Sequence, residues 1–186
     1  MTKIPSAPEV ARRLADALEE AQIPYAIGGA IAYGLHAPPR ATNDVDLNVF
    51  VAPQVLDPCF DALEKAGATL DRPGARSSAA ERGDFSIRVN GMRVDVFVPS
   101  IPLSASAGRR VKRAVLLGRP VMVLSAEDLV LFKLLFYRPK DINDIDRLVR
   151  FQGSNLDREY VHRWLEDLVG KEDPRMATWE GMVADE

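Results

Sequence analysis

The sequence predicts an α+β protein, with a short mixed sheet flanked by helices and a mainly helical C-terminal part. Three observations carry that reading. Two runs alternate acids with apolar residues, Asp44-Val45-Asp46-Leu47-Asn48-Val49 and Arg93-Val94-Asp95-Val96-Phe97-Val98, which is the period of a half-buried strand. Asn90-Gly91 sits between two such runs and signals a tight hairpin. From Ser125 onward the apolar residues recur at helical spacing instead. The expected organisation is an α/β core over residues 1–100, then a hairpin and helical region over residues 101–186, with a ligand cleft between the halves.

Each element follows from its local pattern. Pro8 to Ala21 is an amphipathic helix with Val10, Leu14, Ala17, Leu18 and Ala21 on its apolar stripe. Tyr25 to Ile27 is a short buried strand ending at Gly28-Gly29, and Ala30 to Leu35 is a short helix. Asn43 to Val51 is the acidic strand, and Gln54 to Ala66 is a second amphipathic helix stopped by Gly67. Asp71 to Arg82 carries Pro, Gly, Ser and charge without periodicity and is expected to be a mobile loop. Asp84 to Val89 and Arg93 to Val98 form the hairpin, and Pro99 and Pro102 suggest a hinge. Val115 to Val123 reads as a second hairpin around Gly118-Arg119. Ser125 caps a helix running to about Tyr137. Two more helices are expected from Lys140 to Phe151 and from Asp157 to Leu168, with a charged, partly loose tail after Gly170.

Composition narrows the function. Hydrophobic residues make up 47% of the 186, enough for a core, and the net charge of −3 argues against a strong nucleic-acid binder. One stretch departs from that balance. Arg109, Arg110, Lys112, Arg113 and Arg119 place five positive charges in eleven residues, either a solvated helix face or a patch for the phosphates of a polymer substrate such as RNA. Cys59 is the only cysteine, so no internal disulfide forms. Its neighbours Leu56, Phe60 and Leu63 mark it as a buried structural thiol. His36 and His162 are too few and too far apart for a zinc site. No apolar run approaches a membrane span and no signal core stands at the N-terminus, so a cytoplasmic protein with no membrane partner is expected.

The chemistry concentrates on the acidic strands. Asp44 and Asp46 share one strand face, and Asp95 occupies the polar face of its own strand. If the two strands are neighbours, three carboxylates converge and repel one another. A divalent cation relieves that repulsion, and oxygen-only donors suit Mg2+ or Mn2+. Separated from Asp44 by fourteen residues, Gly28-Gly29 precedes a helix start, where free backbone N–H groups bind phosphate. Together these parts describe a metal–nucleotide site. Singly, each has a plainer reading. An acid can lie on the polar face of an edge strand, Asp95 can pair with Arg93, and two glycines can make a turn. Arg40 and Thr42, just before the acid pair, either contact phosphate or shape the loop. Lys133, in an apolar run, either snorkels to solvent or reaches into the cleft.

The pattern Gly28-Gly29-Ala30 followed by Arg40-Ala41-Thr42-Asn43-Asp44-Val45-Asp46-Leu47 resembles the nucleotidyltransferase superfamily of the DNA polymerase beta type. Ser125 to Lys133 and Arg138 to Asp144 look like later motifs of the AbiEii-like nucleotidyltransferases, toxins of type IV toxin–antitoxin systems, and their bacterial relatives. The resemblance covers roughly residues 25 to 150 and implies the nucleotidyltransferase fold. It also implies transfer of NMP from an NTP to an acceptor hydroxyl with Mg2+ or Mn2+. In that reading Asp44, Asp46 and Asp95 are the catalytic and metal-binding triad, and Gly28 and Gly29 hold the triphosphate. Lys133 approaches the phosphates, and Asp141 or Asp144 lies at the edge of the site. Ala30 stands where many members carry a phosphate-binding Ser. The acceptors implied are a tRNA or other RNA 3′ end, a protein hydroxyl or a small molecule such as an aminoglycoside, and an antitoxin is an implied partner. The alternative is a nucleotide-binding module of the same fold without turnover, which Ala30 would favour.

Overall fold

The computed structural model describes residues 5–184. The elements run α1 (Ala7–Glu20), β1 (Tyr25–Ile27), α2 (Gly29–His36), β2 (Asp44–Val49), α3 (Asp57–Lys65), β3 (Ala68–Thr69), α4 (Arg72–Arg82), β4 (Asp84–Val89), β5 (Met92–Phe97), α5 (Pro102–Arg110), β6 (Lys112–Leu116), β7 (Arg119–Val123), α6 (Ala126–Phe136), α7 (Pro139–Gln152), α8 (Arg158–Val169) and α9 (Pro174–Ala184). The class is α+β, as the sequence predicts. Two compact units result. Of the described residues, one unit holds those up to Ala32 together with Arg40–Leu124, and the other holds Tyr33–Pro39 together with those from Ser125 onward.

The first unit is built on one seven-stranded sheet in the order β3-β4-β5-β2-β1-β7-β6. It is mixed. β2 runs parallel to β5 and β1 parallel to β7, while the other pairings are antiparallel. One face is apolar, with Tyr25, Ile27, Val45, Leu47, Val49, Phe85, Ile87, Val94 and Val96 all buried. The helix α1 packs on this unit with Val10, Leu14 and Leu18 fully buried. Its start is fixed by Glu9, which accepts from the Ser6 backbone N–H and hydroxyl at 2.7 Å. The second hairpin, β6–β7, joins this sheet beside β1, so the unit extends to Leu124 rather than ending near residue 100.

Three segments differ from the sequence expectation. Residues 72–82 form a helix, α4, not a loop. Only Ala75 and Ala79 are buried in it, so its amphipathic signal is weak. Tertiary contacts hold it instead. Arg72 bridges Asp61 and Glu64, Arg76 bridges Asp57, and both guanidinium groups lie over the Phe60 ring. The expected hinge contains α5, in which Pro102 opens the helix and Leu103 and Ala107 are buried. The tail after Gly170 forms α9, anchored by Met176 and Trp179 at 3% and 1% exposure.

The second unit is helical. α6 packs on α7 and α8, and α9 on α7 and α8. Ser125 caps α6 as expected, accepting from the Asp128 N–H at 3.1 Å. Asp128 is fully buried and accepts from Ser125 Oγ at 2.6 Å and Tyr160 Oη at 2.7 Å, a satisfied polar junction between α6 and α8. Cys59, in the first unit, is 1% exposed, and burial pushes its thiol up to about 12. Among the described residues no helix is long and apolar enough to cross a membrane.

Candidate active site

The parallel pairing of β2 with β5 brings the acids together. Asp46 is the register partner of Asp95, and Asp44 is the partner of Arg93. Residues directly opposite on neighbouring strands share a face. Asp44, Asp46 and Asp95 therefore stand on one sheet surface, while Val45, Leu47, Val94 and Val96 fill the other. The hairpin partner β4 adds Ser86, opposite Asp95.

The glycine pair is seated against the acid strand. Gly28 N–H donates to the Asp46 carbonyl at 2.9 Å, so the loop leaving β1 is pinned to β2. Gly29 has φ +53, and a Cβ added there would lie 1.7 Å from Asp46 Oδ2, 2.6 Å from its Cγ and 2.9 Å from its Cβ. No side chain fits in that space. At Gly28 a Cβ would meet the buried Asn48 amide at 2.9 Å. The start of α2 is thus held bare of side chains beside the Asp46 carboxylate. That is the arrangement needed if backbone N–H groups are to meet a phosphate next to a metal-binding acid.

Neighbouring side chains orient two of the carboxylates. Thr42 Oγ1 donates to Asp44 Oδ1 at 2.5 Å. Thr42 therefore positions Asp44, and Arg40 reaches the carbonyl of Ala41 at 3.5 Å. Asp95 Oδ1 accepts from Ser86 Oγ at 2.6 Å and from Arg93 Nε at 2.9 Å. The Arg93 guanidinium is held above its ordinary value, first by the hydrogen bond to Asp95 and then by that carboxylate's charge, with Asp44 and Asp46 adding to the effect.

Among the described residues no three His, Cys, Asp or Glu side chains are gathered closely enough to hold a metal ion as they stand. The donor set fits a divalent cation in kind. It offers carboxylate oxygens only, from register-matched positions on adjacent strands, beside a recess that a Cβ would fill.

Lys133, Asp141 and Asp144 come together in the second unit as a buried ion cluster. Lys133 Nζ lies 2.7 Å from Asp144 Oδ2 and 3.5 Å from Asp141 Oδ1, and all three residues are at most 5% exposed. Arg138 Nε also donates to Asp141 Oδ2 at 2.6 Å. Burial alone would raise the Asp141 pKa, but Arg138 and Lys133 together hold it below the usual carboxylate range. The Lys133 ammonium is thus neither snorkelling to solvent nor left open for an incoming phosphate.

No family model matches the sequence, and no curated protein matches it. Solved structures do. The antibiotic-resistance factor ANT(2″)-Ia in solution aligns with a TM-score of 0.61 at 16% identity, over 96% of this chain and 97% of its own. ANT(2″)-Ia in complex with adenylyl-2″-tobramycin aligns at 0.62 and 16%, over 94% and 97%. The lincomycin-bound lincosamide antibiotic adenylyltransferase LnuA aligns at 0.53 and 15%, over 77% of this chain and 96% of its own. The chain has the nucleotidyltransferase fold. A nucleotidyltransferase-like protein from Paracoccidioides brasiliensis shares it at a TM-score of 0.53 and 20% identity, over 94% and 92%. None of these structures is described as an AbiEii-like toxin.

Two residues of this face are not singled out by motif reading. Asn48 continues the Asp44, Asp46 alternation, and its amide packs on Gly28. Ser86 is findable from the hairpin. A two-residue turn at Asn90-Gly91 sets Val89 opposite Met92, and counting back sets Ser86 opposite Asp95.

Proposed function

We propose that this protein transfers a nucleoside monophosphate from an NTP to an acceptor hydroxyl and releases pyrophosphate. The observation that carries the reading is the register match of Asp46 with Asp95, with Gly29 seated against the Asp46 carboxylate. Asp44 and Asp46 would hold divalent cations from one strand and Asp95 from the next. A cation held by these carboxylates would lower the pKa of the acceptor hydroxyl and offset charge on the leaving pyrophosphate. Gly28 and Gly29 leave the first turn of α2 uncovered, so its N–H groups orient the triphosphate. Thr42 and Ser86 keep Asp44 and Asp95 on the working face. As the acceptor oxygen bonds the α-phosphorus, the bond to the α–β bridging oxygen breaks. No enzyme nucleophile is required, and placement with charge compensation supplies the rate.

A small-molecule acceptor is the reading we favour, supported by ANT(2″)-Ia with an adenylylated tobramycin and LnuA with lincomycin on this fold. The Arg109–Arg119 run speaks for RNA, and a toxin role would add an antitoxin partner. Ala30 offers no hydroxyl to a phosphate and favours the second reading, a nucleotide-binding module without turnover. The test uses each α-labelled NTP with Mg2+ or Mn2+ in three arms: aminoglycosides with lincosamides, total RNA, and cell lysate. Label should pass to an acceptor in the first arm and be lost in Asp46→Asn. NTP binding with no labelled acceptor in any arm would leave the module reading. Absence of metal-assisted NTP binding would remove both.

A further inference from the structure

Arg93 stands on the acidic face itself. Its register partner is Asp44, and its Nε donates to Asp95 Oδ1 at 2.9 Å. Its Nη2 lies 3.4 Å from Ser86 Oγ, and Ser86 donates to the same Asp95 oxygen. The side chain of Asp95 is 19% exposed and that of Arg93 is 60% exposed, so the guanidinium covers the carboxylate from the solvent side. Across the hairpin Arg93 faces Arg88, a like-charge pair that costs stability unless something offsets it. The three aspartates provide that offset.

We propose that Arg93 is the resident counter-ion of the acidic face, holding Asp95 toward Ser86 and competing with the divalent cation for that carboxylate. The inference rests on the metal reading above. Three carboxylates on one face repel, and a single guanidinium among them relieves part of that repulsion when no cation is bound. A cation drawn to Asp46 and Asp95 meets the Arg93 hydrogen bond at Asp95 Oδ1 and works against the positive charge of the guanidinium. Arg93 is therefore a positioning residue whose removal strengthens cation binding, the opposite of what loss of a merely supporting contact would do.

Mn2+ titrations, read by the electron paramagnetic resonance of free Mn2+, test this on the full chain without nucleotide. Arg93→Gln should bind Mn2+ roughly tenfold more tightly than wild type, on the scale of one partly screened charge near a divalent ion. Arg93→Lys, which keeps the charge, should stay nearer to wild type. Asp46→Asn should abolish binding in either background. If wild type binds Mn2+ and Arg93→Gln binds it equally or more weakly, the counter-ion role is overturned while the metal site stands. If neither binds, the metal reading falls and takes this inference with it. Binding by Arg93→Gln alone would be the strongest support, because it would show that the guanidinium keeps the cation out.

Discussion

Gly29→Ala is the substitution for which the structure gives the most definite expectation. Two costs add. Gly29 has φ +53, a left-handed conformation that costs an L-residue about 1–2 kcal/mol. Its Cβ would also fall 1.7 Å from Asp46 Oδ2 and 2.9 Å from Asp46 Cβ. Rotating the carboxylate clears the first contact but not the second, so part of the strand or helix must shift, at about 1–3 kcal/mol for overpacking. The sum is roughly 2–5 kcal/mol, or a fall of about 5–15 °C in melting temperature for a protein of this size. Gly91 provides the control. It too has positive φ, +82, but a Cβ there meets nothing within 4 Å. Gly91→Ala should therefore show only the backbone term, roughly 1–2 kcal/mol.

Thermal melts of wild type, Gly29→Ala, Gly91→Ala, Asp46→Ala and the Gly29→Ala/Asp46→Ala pair measure these terms. Asp46→Ala removes the contacts at 1.7 and 2.6 Å. The double mutant should therefore recover about 1 kcal/mol or more relative to additivity. Gly29→Ala melting alongside Gly91→Ala, with no coupling to Asp46, would refute the claim that the glycine pair is seated against the acid.

Two further outcomes follow. Lys133→Met leaves Asp141 and Asp144 buried without their ammonium and should cost about 3–5 kcal/mol in urea unfolding, with part regained in Lys133→Met/Asp144→Asn; an unchanged midpoint with weakened NTP binding would instead make Lys133 a phosphate contact. The Cys59 thiol, pushed up to about 12, stays protonated from pH 7 to 9, so iodoacetamide should modify the native protein far more slowly than the unfolded chain, and equal rates would contradict its burial.

The acidic strands were legible because alternation and the Asn90-Gly91 turn are local signals that the sheet uses unchanged. Val45 and Leu47 go in, Asp44 and Asp46 stay on the other face, and the hairpin register follows from turn length. The strand neighbours were not legible. Pairing β2 with β5 joins positions 49 residues apart in the chain, Asp46 and Asp95, and no local rule selects that partner. The same limit explains α4. Pro73-Gly74 reads as a break, and what holds the helix is Arg72 and Arg76 reaching acids and a ring on α3. Pro102 reads as a hinge for the same reason that it can open a helix, since its missing N–H is harmless only in the first turn.

Lys133 shows where motif reading and packing part. A lysine in an apolar helical run needs either water or an anion, and the sequence supplies candidates for both. Asp141 and Asp144 lie one turn apart on α7, so both carboxylates face the same way. That spacing suits a ligand edge and suits an internal counter-ion equally well. Burial decides between them. With Lys133, Asp141 and Asp144 at 5%, 1% and 4% exposure, the ammonium is shared by two buried carboxylates, and withdrawing it for a ligand would take it from Asp144 at 2.7 Å and from Asp141 at 3.5 Å. The acidic face of β2 and β5 is built the other way. Asp44 and Asp46 remain partly exposed, and Asp95 is covered by an arginine whose own side chain is largely in solvent. A charge that is to meet a ligand has to be held loosely enough to change partners, and in this chain that condition is met at Asp95 and Arg93 rather than at Lys133.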